Sequence, residues 1–199
     1  MLKLNFLLVC LITGGHTLQW EASSPGQILQ NALGLNANSA TLKYFCKFVV
    51  PTLLGPEIVI GTLTRQKDVC QGVRYNRSGK VVSSAEFLLL TSTSTEVVDW
   101  KYCTNPPDTA INCDLQNGPT KETFLTFLLS MLSHFLPFFK VSIDGDCYLG
   151  QSVYSDGICH ESLGPIQGGV VNMVIRDKVS RCPFKLYLVA GTARNAKCT

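Results

Sequence analysis

Short runs of Val, Ile, Leu and aromatic residues recur along most of the chain, and clusters of Gly, Pro, Asn and Asp separate them. Gly164-Pro165 and Gly168-Gly169 are two of these breaks. Such punctuation is typical of short strands in antiparallel sheets. We therefore predict a mainly β fold of the α+β type, with strands over 44–50, 57–63, 86–91, 96–102, 170–176 and 184–190.

One segment has the spacing of a helix instead. Between positions 124 and 135 the apolar residues recur every three or four positions, Thr120 is a candidate N-cap, and Pro137 ends the pattern. This predicts an amphipathic helix over 120–135 whose wide apolar face either packs on the core or covers a cavity for an apolar ligand. The candidate pocket residues on that face are Phe124, Phe127, Leu128, Met131, Leu132 and Phe135.

The N-terminus has the order of a secretory signal peptide. Lys3 supplies a positive charge, an apolar run follows over 4–12, and small residues come next at 13–15. We predict a signal peptide over 1–15 with cleavage near 15–17, an N-terminal arm over 16–42, and a single β domain over 43–199. The mature protein is therefore expected to be secreted and extracellular.

Composition excludes several classes of protein. Hydrophobic residues make up 46% of the chain and charged residues only 16%, which is too apolar for a disordered protein. The net charge is +3 and the basic residues are scattered, so we expect no nucleic-acid partner. The most apolar later segment, 123–139, is interrupted by polar residues and Pro137, so we expect no membrane span.

The cysteines predict a disulfide-stapled fold. The chain has nine and no C-x-x-C motif, and removal of the signal peptide takes away Cys10. An even set remains, as expected for four disulfides formed in an oxidising compartment, although the spacing leaves the connectivity open. The predicted disulfide residues are Cys46, Cys70, Cys103, Cys113, Cys147, Cys159, Cys182 and Cys198.

Catalytic residues are poorly represented, so we do not expect an enzyme. Cys159 is adjacent to His160, but neighbouring strand residues face opposite ways and Cys159 is expected in a disulfide. Ser152 is the serine of the segment Gly150 to Tyr154, which begins like a nucleophile elbow but lacks the final glycine of that motif. Asp144 and Asp146 form either a solvated turn or part of a calcium site, so calcium is the only cofactor considered and no metal ligands are assigned.

Asn76 begins the sequence Asn-Arg-Ser, which is an acceptor for N-linked glycosylation. It lies in a turn beside Gly79, where a glycan would be exposed to solvent. We therefore predict that the protein is a glycoprotein modified at Asn76.

Several short motifs occur in the order and approximate spacing of ependymin-related proteins, over positions 46–189. The motifs are Cys46 to Pro51, Val73 to Asn76 with Lys80 to Val82, Phe135 to Phe138, Tyr148 to Ser152, and Gly168-Gly169 before Cys182-Pro183. The chain thus resembles that family. The resemblance implies a secreted glycoprotein with strongly curved antiparallel sheets around a hydrophobic pocket. It further implies a lipid or other hydrophobic ligand, calcium binding, a role in cell–matrix adhesion, and homodimers.

The resemblance also implies two disulfides, Cys46 with Cys182 and either Cys103 or Cys113 with Cys198.

A different class of function is compatible with the same features. A secreted, disulfide-rich effector, similar to a toxin or cytokine, would share the signal peptide and the cysteines but would act on a receptor through an exposed patch.

Overall fold

The computed structural model describes residues 18–35, 42–53, 56–64, 68–74, 79–92, 98–113, 146–155 and 159–198. The predicted signal peptide, the predicted helix over 120–135 and Asn76 lie outside these residues. Within them, the chain forms β-strands joined by turns and contains no helix, and therefore none that is long and apolar enough to cross a membrane. The prediction of a mainly β fold is confirmed.

The described residues form twelve strands. They are β1 (Leu18–Ser23), β2 (Lys43–Val50), β3 (Glu57–Thr64), β4 (Cys70–Arg74), β5 (Lys80–Ser84), β6 (Phe87–Ser92), β7 (Val98–Lys101), β8 (Tyr148–Ser152), β9 (Ser162–Gln167), β10 (Val170–Ile175), β11 (Lys178–Cys182) and β12 (Lys185–Ala190).

Six strands form sheet A, in the order β1-β6-β2-β3-β4-β5, and every neighbouring pair is antiparallel. β2 and β3 pair along their whole length, from Lys43 opposite Thr64 to Val50 opposite Glu57. Gly61 of β3 lies opposite Gly72 of β4, and a Cβ atom on Gly61 would come within 2.1 Å of the Gln71 carbonyl oxygen. Only glycine therefore allows β3 and β4 to approach this closely.

The other six strands form sheet B, in the order β11-β10-β9-β8-β12-β7, also antiparallel throughout. Gly168 and Gly169 connect β9 to β10 with φ angles of 58° and 78°, the left-handed backbone that a tight hairpin turn requires. Arg176 and Asp177 connect β10 to β11 in the same region of φ, at 49° and 60°. The Gln71 side chain donates a hydrogen bond of 3.0 Å to Asp177, which links this turn to sheet A.

The two sheets pack face to face, with β3, β4 and β5 of sheet A against β9, β10 and β11 of sheet B. Two polar contacts also join the sheets: Thr62 Oγ1 donates to the Leu163 carbonyl at 2.8 Å, and Lys43 Nζ donates to the Glu161 carbonyl at 2.6 Å. The core between the sheets includes Phe45, Ile60, Leu90, Leu149, Leu163 and Leu188, all of which are buried.

The six predicted strands all occur, as β2, β3, β6, β7, β10 and β12. The other six were not predicted because they are short and carry polar or turn-forming residues. β9 is the clearest case, since Gly164 and Pro165 lie inside this strand rather than in a break. Its pairing with β8 and the burial of all six of its residues override the local preference of Gly and Pro for turns. β1 lies within the predicted N-terminal arm and pairs with β6.

Four disulfides connect the eight predicted cysteines. They are Cys46–Cys70, Cys103–Cys198, Cys113–Cys147 and Cys159–Cys182. The prediction of four disulfides is confirmed, as is the pairing of Cys103, one of two candidates, with Cys198. The four disulfides fit a protein that folds in an oxidising, extracellular compartment.

The expected pair Cys46–Cys182 is wrong. Cys46 packs among apolar residues on the outer face of sheet A, whereas Cys182 packs on the outer face of sheet B. Facing sheets are about 10 Å apart, and the Cα atoms of a disulfide lie within about 7 Å of each other, so these two cysteines cannot meet. Each instead bonds to a cysteine on its own side, Cys70 and Cys159 respectively.

Because all eight cysteines after the predicted signal peptide are paired, we expect no free thiol in the secreted chain. The measurement is thiol titration of the unfolded, unreduced protein. A reduced sample provides the control and is expected to show the full set of thiols. More than a trace of free cysteine in the unreduced sample would contradict the four disulfides.

Candidate functional site

Most of the residues predicted from the sequence to bind a ligand, a glycan or calcium lie outside the described residues. These are the pocket residues Phe124, Phe127, Leu128, Met131, Leu132 and Phe135, the glycosylation site Asn76, and Asp144 of the calcium turn. Asp146 is described and is exposed just before β8. The described residues contain no group of three or more His, Cys, Asp or Glu side chains placed to bind a metal.

Ser152 and His160 do not form a catalytic arrangement with Cys159. Cys159 is bonded to Cys182 and has no thiol to act as a nucleophile. The Ser152 hydroxyl is fully buried, donates to the carbonyl oxygen of His160 and accepts a hydrogen bond of 2.9 Å from the Ser162 backbone. These bonds join β8 to the start of β9, so the role of Ser152 is structural.

Sheet A is apolar on both of its faces. Five successive residues of β6, from Phe87 to Thr91, are buried, so neighbours cover this strand on both sides. Leu90 points into the core between the sheets, while Leu89 points the other way. The outer side chains form an apolar group, here called the outer cluster of sheet A: Cys46, Phe48, Val59, Leu63, Cys70, Phe87 and Leu89.

Sheet A is bent where the outer cluster lies. Cys46 belongs to β2 and Cys70 to β4, with β3 between them, yet their Cα atoms are only 6.0 Å apart. In a flat sheet, strands two places apart are separated by about 9.5 Å. Because the disulfide lies on the outer face, the bend brings β2 and β4 together on that side and makes the outer face locally concave.

A short segment over 31–35 lies between β6 and β2 where these two strands separate. The Leu33 amide donates to the Leu90 carbonyl at 2.8 Å, and the Leu35 amide donates to the Lys43 carbonyl at 2.9 Å. Leu33 and Leu35 pack into the core between the sheets, whereas Ala32 packs against the outer cluster. A Cβ atom at position 34 would come within 2.6 Å of the Lys43 carbonyl oxygen, so Gly34 is required for this insertion.

A cavity of about 260 Å³ opens beside this inserted segment. Its lining has about as much polar as apolar surface, and Leu29, Ala32 and Tyr44 also pack against the outer cluster of sheet A. Gln30 and Tyr44 carry the polar side-chain groups of the lining residues, and a few polar groups in a pocket can fix the orientation of a ligand. The lining residues are Ile28, Leu29, Gln30, Ala32 and Tyr44.

None of these lining residues was predicted as a site residue. Four of the five fall in the segment that the sequence analysis assigned to an N-terminal arm. A signal was present, because Ile28-Leu29 and Ala32-Leu33 place two apolar pairs in a segment otherwise rich in Gly, Asn and Gln. The fifth, Tyr44, was predicted only as a strand residue.

A lysine is buried on the opposite, inner face of sheet A. Lys47 of β2 is only 8% exposed, and its Nζ atom lies 4.6 Å from the centre of the Trp20 ring on β1. Such a cation–π contact stabilises the charged form of a lysine inside a protein. Lys47 therefore adds a positive charge to the core that adjoins the outer cluster.

No protein-family model matches this chain, and a search of curated proteins finds no match. Its function therefore rests on the geometry of its own residues.

Proposed function

We propose that this protein is a secreted carrier of a hydrophobic ligand, as its resemblance to ependymin-related proteins implies. The observation that supports the proposal most directly is the cavity beside the apolar outer cluster of sheet A. A two-layer sandwich needs apolar residues only on its inner faces, because those faces form its core. Here the outer face of sheet A is also apolar, is bent by the Cys46–Cys70 disulfide, and adjoins a cavity.

The size of the cavity limits the ligand. Most pockets for small molecules measure about 300–1,000 Å³, and this cavity of about 260 Å³ lies just below that range. A single hydrocarbon chain or one small ring system fits a space of this size, whereas a lipid with two acyl chains does not. We therefore propose a ligand with one chain, such as a fatty acid, oriented by the polar groups of Gln30 and Tyr44.

We expect the purified protein, after extraction of bound lipid, to bind cis-parinaric acid, a fluorescent fatty acid that consists of a single chain without an added ring. Ala32→Phe is expected to weaken this binding at least about tenfold, equivalent to about 1.4 kcal/mol, because the ring occupies the cavity. The measurement is a fluorescence titration of each variant, with thermal melting used to check that each one is folded.

Ala22→Phe is the matched control, because it makes the same change at an exposed alanine on β1. It is expected to leave the affinity unchanged. A wild-type protein that does not bind the probe, or an equal loss of affinity in the two variants, would overturn the assignment of this cavity. Binding of a receptor by a protein that carries no lipid would favour the effector instead.

Calcium binding, matrix adhesion, homodimer formation and glycosylation at Asn76 stay predictions made from the sequence. The fatty-acid titration does not depend on any of these four properties.

A further inference from the structure

Sheet A and sheet B have the same topology. Each strand of sheet A corresponds to the strand six places later in the chain, because β1-β6-β2-β3-β4-β5 matches β7-β12-β8-β9-β10-β11, the order of sheet B read from its other end. The residue pairing agrees. Trp20 on β1 lies opposite Leu90 on β6, and in the same place Trp100 on β7 lies opposite Leu188 on β12. The chain is therefore a structural repeat whose first half forms sheet A and whose second half forms sheet B.

The segment inserted between β6 and β2 also has a counterpart, which lies between β12 and β8. The Ile111 amide donates to the Leu188 carbonyl of β12 at 2.9 Å, and the Ile111 carbonyl accepts a bond of 2.8 Å from the Leu149 amide of β8. Leu33 makes the same two bonds in the first half, to β6 at 2.8 Å and to β2 at 3.3 Å. The repeat therefore includes the part of the first half that adjoins the cavity.

Backbone bridges fix which residues of the two inserted segments correspond. One bridge joins Ala32 to β6 and Ala110 to β12, and a second joins the segments to Tyr44 of β2 and Tyr148 of β8. In both segments the alanine amide donates to the carbonyl three residues earlier at 3.0 Å, so the preceding residues correspond one to one. The equivalents of the cavity-lining residues Ile28, Leu29, Gln30, Ala32 and Tyr44 are, in that order, Pro106, Pro107, Asp108, Ala110 and Tyr148.

In the second half, the place equivalent to the cavity is covered by residues 191–198, here called the C-terminal strap. The Asp108 amide donates to the Lys197 carbonyl at 3.1 Å, and the Lys197 amide donates to Asp108 Oδ1 at 3.0 Å. Ala196 is only 5% exposed and belongs to the apolar cluster on the outer face of sheet B, against which Ala110 and Tyr148 pack. The strap thus lies where a ligand would lie if the second half had an open cavity.

The strap is held at both of its ends. Near its start, Asp99 Oδ2 of β7 accepts a bond of 2.8 Å from the Ala193 amide, and Lys101 Nζ of β7 donates to the Ala193 carbonyl at 2.8 Å. At its far end, Cys198 is bonded to Cys103. Reduction of this disulfide removes the covalent attachment at the far end and leaves the contacts with β7 in place, so the strap is able to swing away without unfolding either sheet.

The disulfide of the strap is also the most accessible of the four. Cys198 is exposed, whereas the six cysteines of the other three disulfides are at most 2% exposed. Thiol–disulfide exchange requires a thiolate to reach one of the two sulfur atoms, so access governs which disulfide is reduced first. A reductant therefore reaches Cys103–Cys198 before the others.

We propose that the second half contains its own ligand site, which the C-terminal strap closes and which reduction of Cys103–Cys198 by a dithiol opens. One thiolate of the dithiol forms a bond to Cys198 Sγ, and Cys103 leaves as a thiolate that takes up a proton. The second thiolate of the reductant then attacks the mixed disulfide, which releases the Cys198 thiol and leaves the dithiol oxidised to its own disulfide. This inference rests on the proposed function, because the cavity of the first half is the pattern for the second site.

Asp108 determines the ligand class of the second site. It stands where the first half has the neutral Gln30, and its carboxylate points at the strap and accepts from the Lys197 amide. When the strap has left, this carboxylate repels the carboxylate of a fatty acid and attracts an ammonium group, with which it forms a charge-assisted hydrogen bond. Ala110 and Tyr148 supply apolar surface for a hydrocarbon chain. The second site therefore takes a single-chain amine, whereas the first takes a fatty acid.

Partial reduction of the whole folded protein with dithiothreitol, followed by iodoacetamide and peptide mass spectrometry, tests the opening step. We expect Cys103 and Cys198 to be labelled at least about tenfold faster than the other six cysteines, because those six are buried. The same labelling in guanidinium chloride is the control and is expected to remove the difference. Similar rates for all eight cysteines in the folded protein would overturn the proposed opening.

Calorimetric titration with decylamine and with decanoate tests the site itself. The opened protein is the wild type after selective reduction and, as an independent form, the Cys103→Ala/Cys198→Ala variant. We expect it to bind one more decylamine per chain than the oxidised wild type, and to bind decanoate at that site at least about tenfold more weakly because the two head groups have opposite charges. An opened protein that gains no site, or a gained site that prefers decanoate, would overturn the proposal.

Substitutions at equivalent positions locate the gained site, with thermal melting used to check that each variant is folded. Ala110→Phe is expected to abolish it, whereas Ala32→Phe, the same change in the first half, is expected to leave it intact. Asp108→Asn is expected to remove the preference for decylamine. A gained site that neither Ala110→Phe nor Asp108→Asn affects would lie elsewhere and would overturn the assignment. If the oxidised wild type binds no fatty acid, only the proposed function fails, because the gained site is counted separately in the Ala32→Phe variant.

Discussion

Leu89→Ala is expected to lower the free energy of unfolding by about 2–5 kcal/mol, the cost of removing a large side chain from a packed core. Leu89 is 0% exposed and lies in the outer cluster of sheet A, opposite Cys46 in the neighbouring strand. Truncation removes its apolar contacts and leaves a cavity beside the Cys46–Cys70 disulfide. The measurement is equilibrium unfolding in guanidinium chloride.

Leu90→Ala is the matched comparison, because Leu90 is the next residue, is equally buried, and points into the core between the sheets. If the outer cluster is packed as densely as that core, the two variants lose similar stability. Leu53→Ala is the exposed control and is expected to change stability by less than about 0.5 kcal/mol. A loss below about 1 kcal/mol at Leu89, with a large loss at Leu90, would show that the outer face is not a second core.

Replacing both Cys103 and Cys198 with alanine is expected to cost about 4 kcal/mol of stability. The two residues are 95 positions apart, but the Cys113–Cys147 and Cys159–Cys182 disulfides lie inside that loop and shorten it. The shortest path through the cross-linked unfolded chain is therefore about 40 residues, for which the loss of loop entropy amounts to about 4 kcal/mol. The measurement is thermal or denaturant unfolding with the other three disulfides intact.

Lys197→Ala is the control for this double variant, because Lys197 is exposed beside Cys198 and is expected to change stability by less than about 0.5 kcal/mol. If the double variant also loses less than about 1 kcal/mol, the other three disulfides already constrain the unfolded chain. The loop-entropy account of Cys103–Cys198 would then be wrong.

The strands predicted from the sequence are those with continuous β-branched, leucine or aromatic runs. β2 and β6 were predicted nearly to their ends, because their preference for extended backbone agrees with their burial. β9 was missed because Gly164 and Pro165 break the local pattern. Its place between β8 and β10 depends on pairing with residues far along the chain, which no short window of sequence contains.

The candidate sites were harder to predict than the strands. The lining of the cavity combines a segment over 28–32 with Tyr44, and Tyr44 reaches it only because the chain inserts residues 31–35 between β6 and β2.

By itself, the sequence determined the mainly β character of the chain and the eight cysteines that form disulfides, because short-range pattern and an even cysteine count carry that information. Only the tertiary structure decided which cysteines meet, since Cys46 and Cys182 lie on opposite outer faces of the two sheets. It also decided that sheet A is apolar on both faces and where the cavity opens. The physical reason is the same in each case: these features depend on contacts between residues distant in sequence, and strand order sets those contacts.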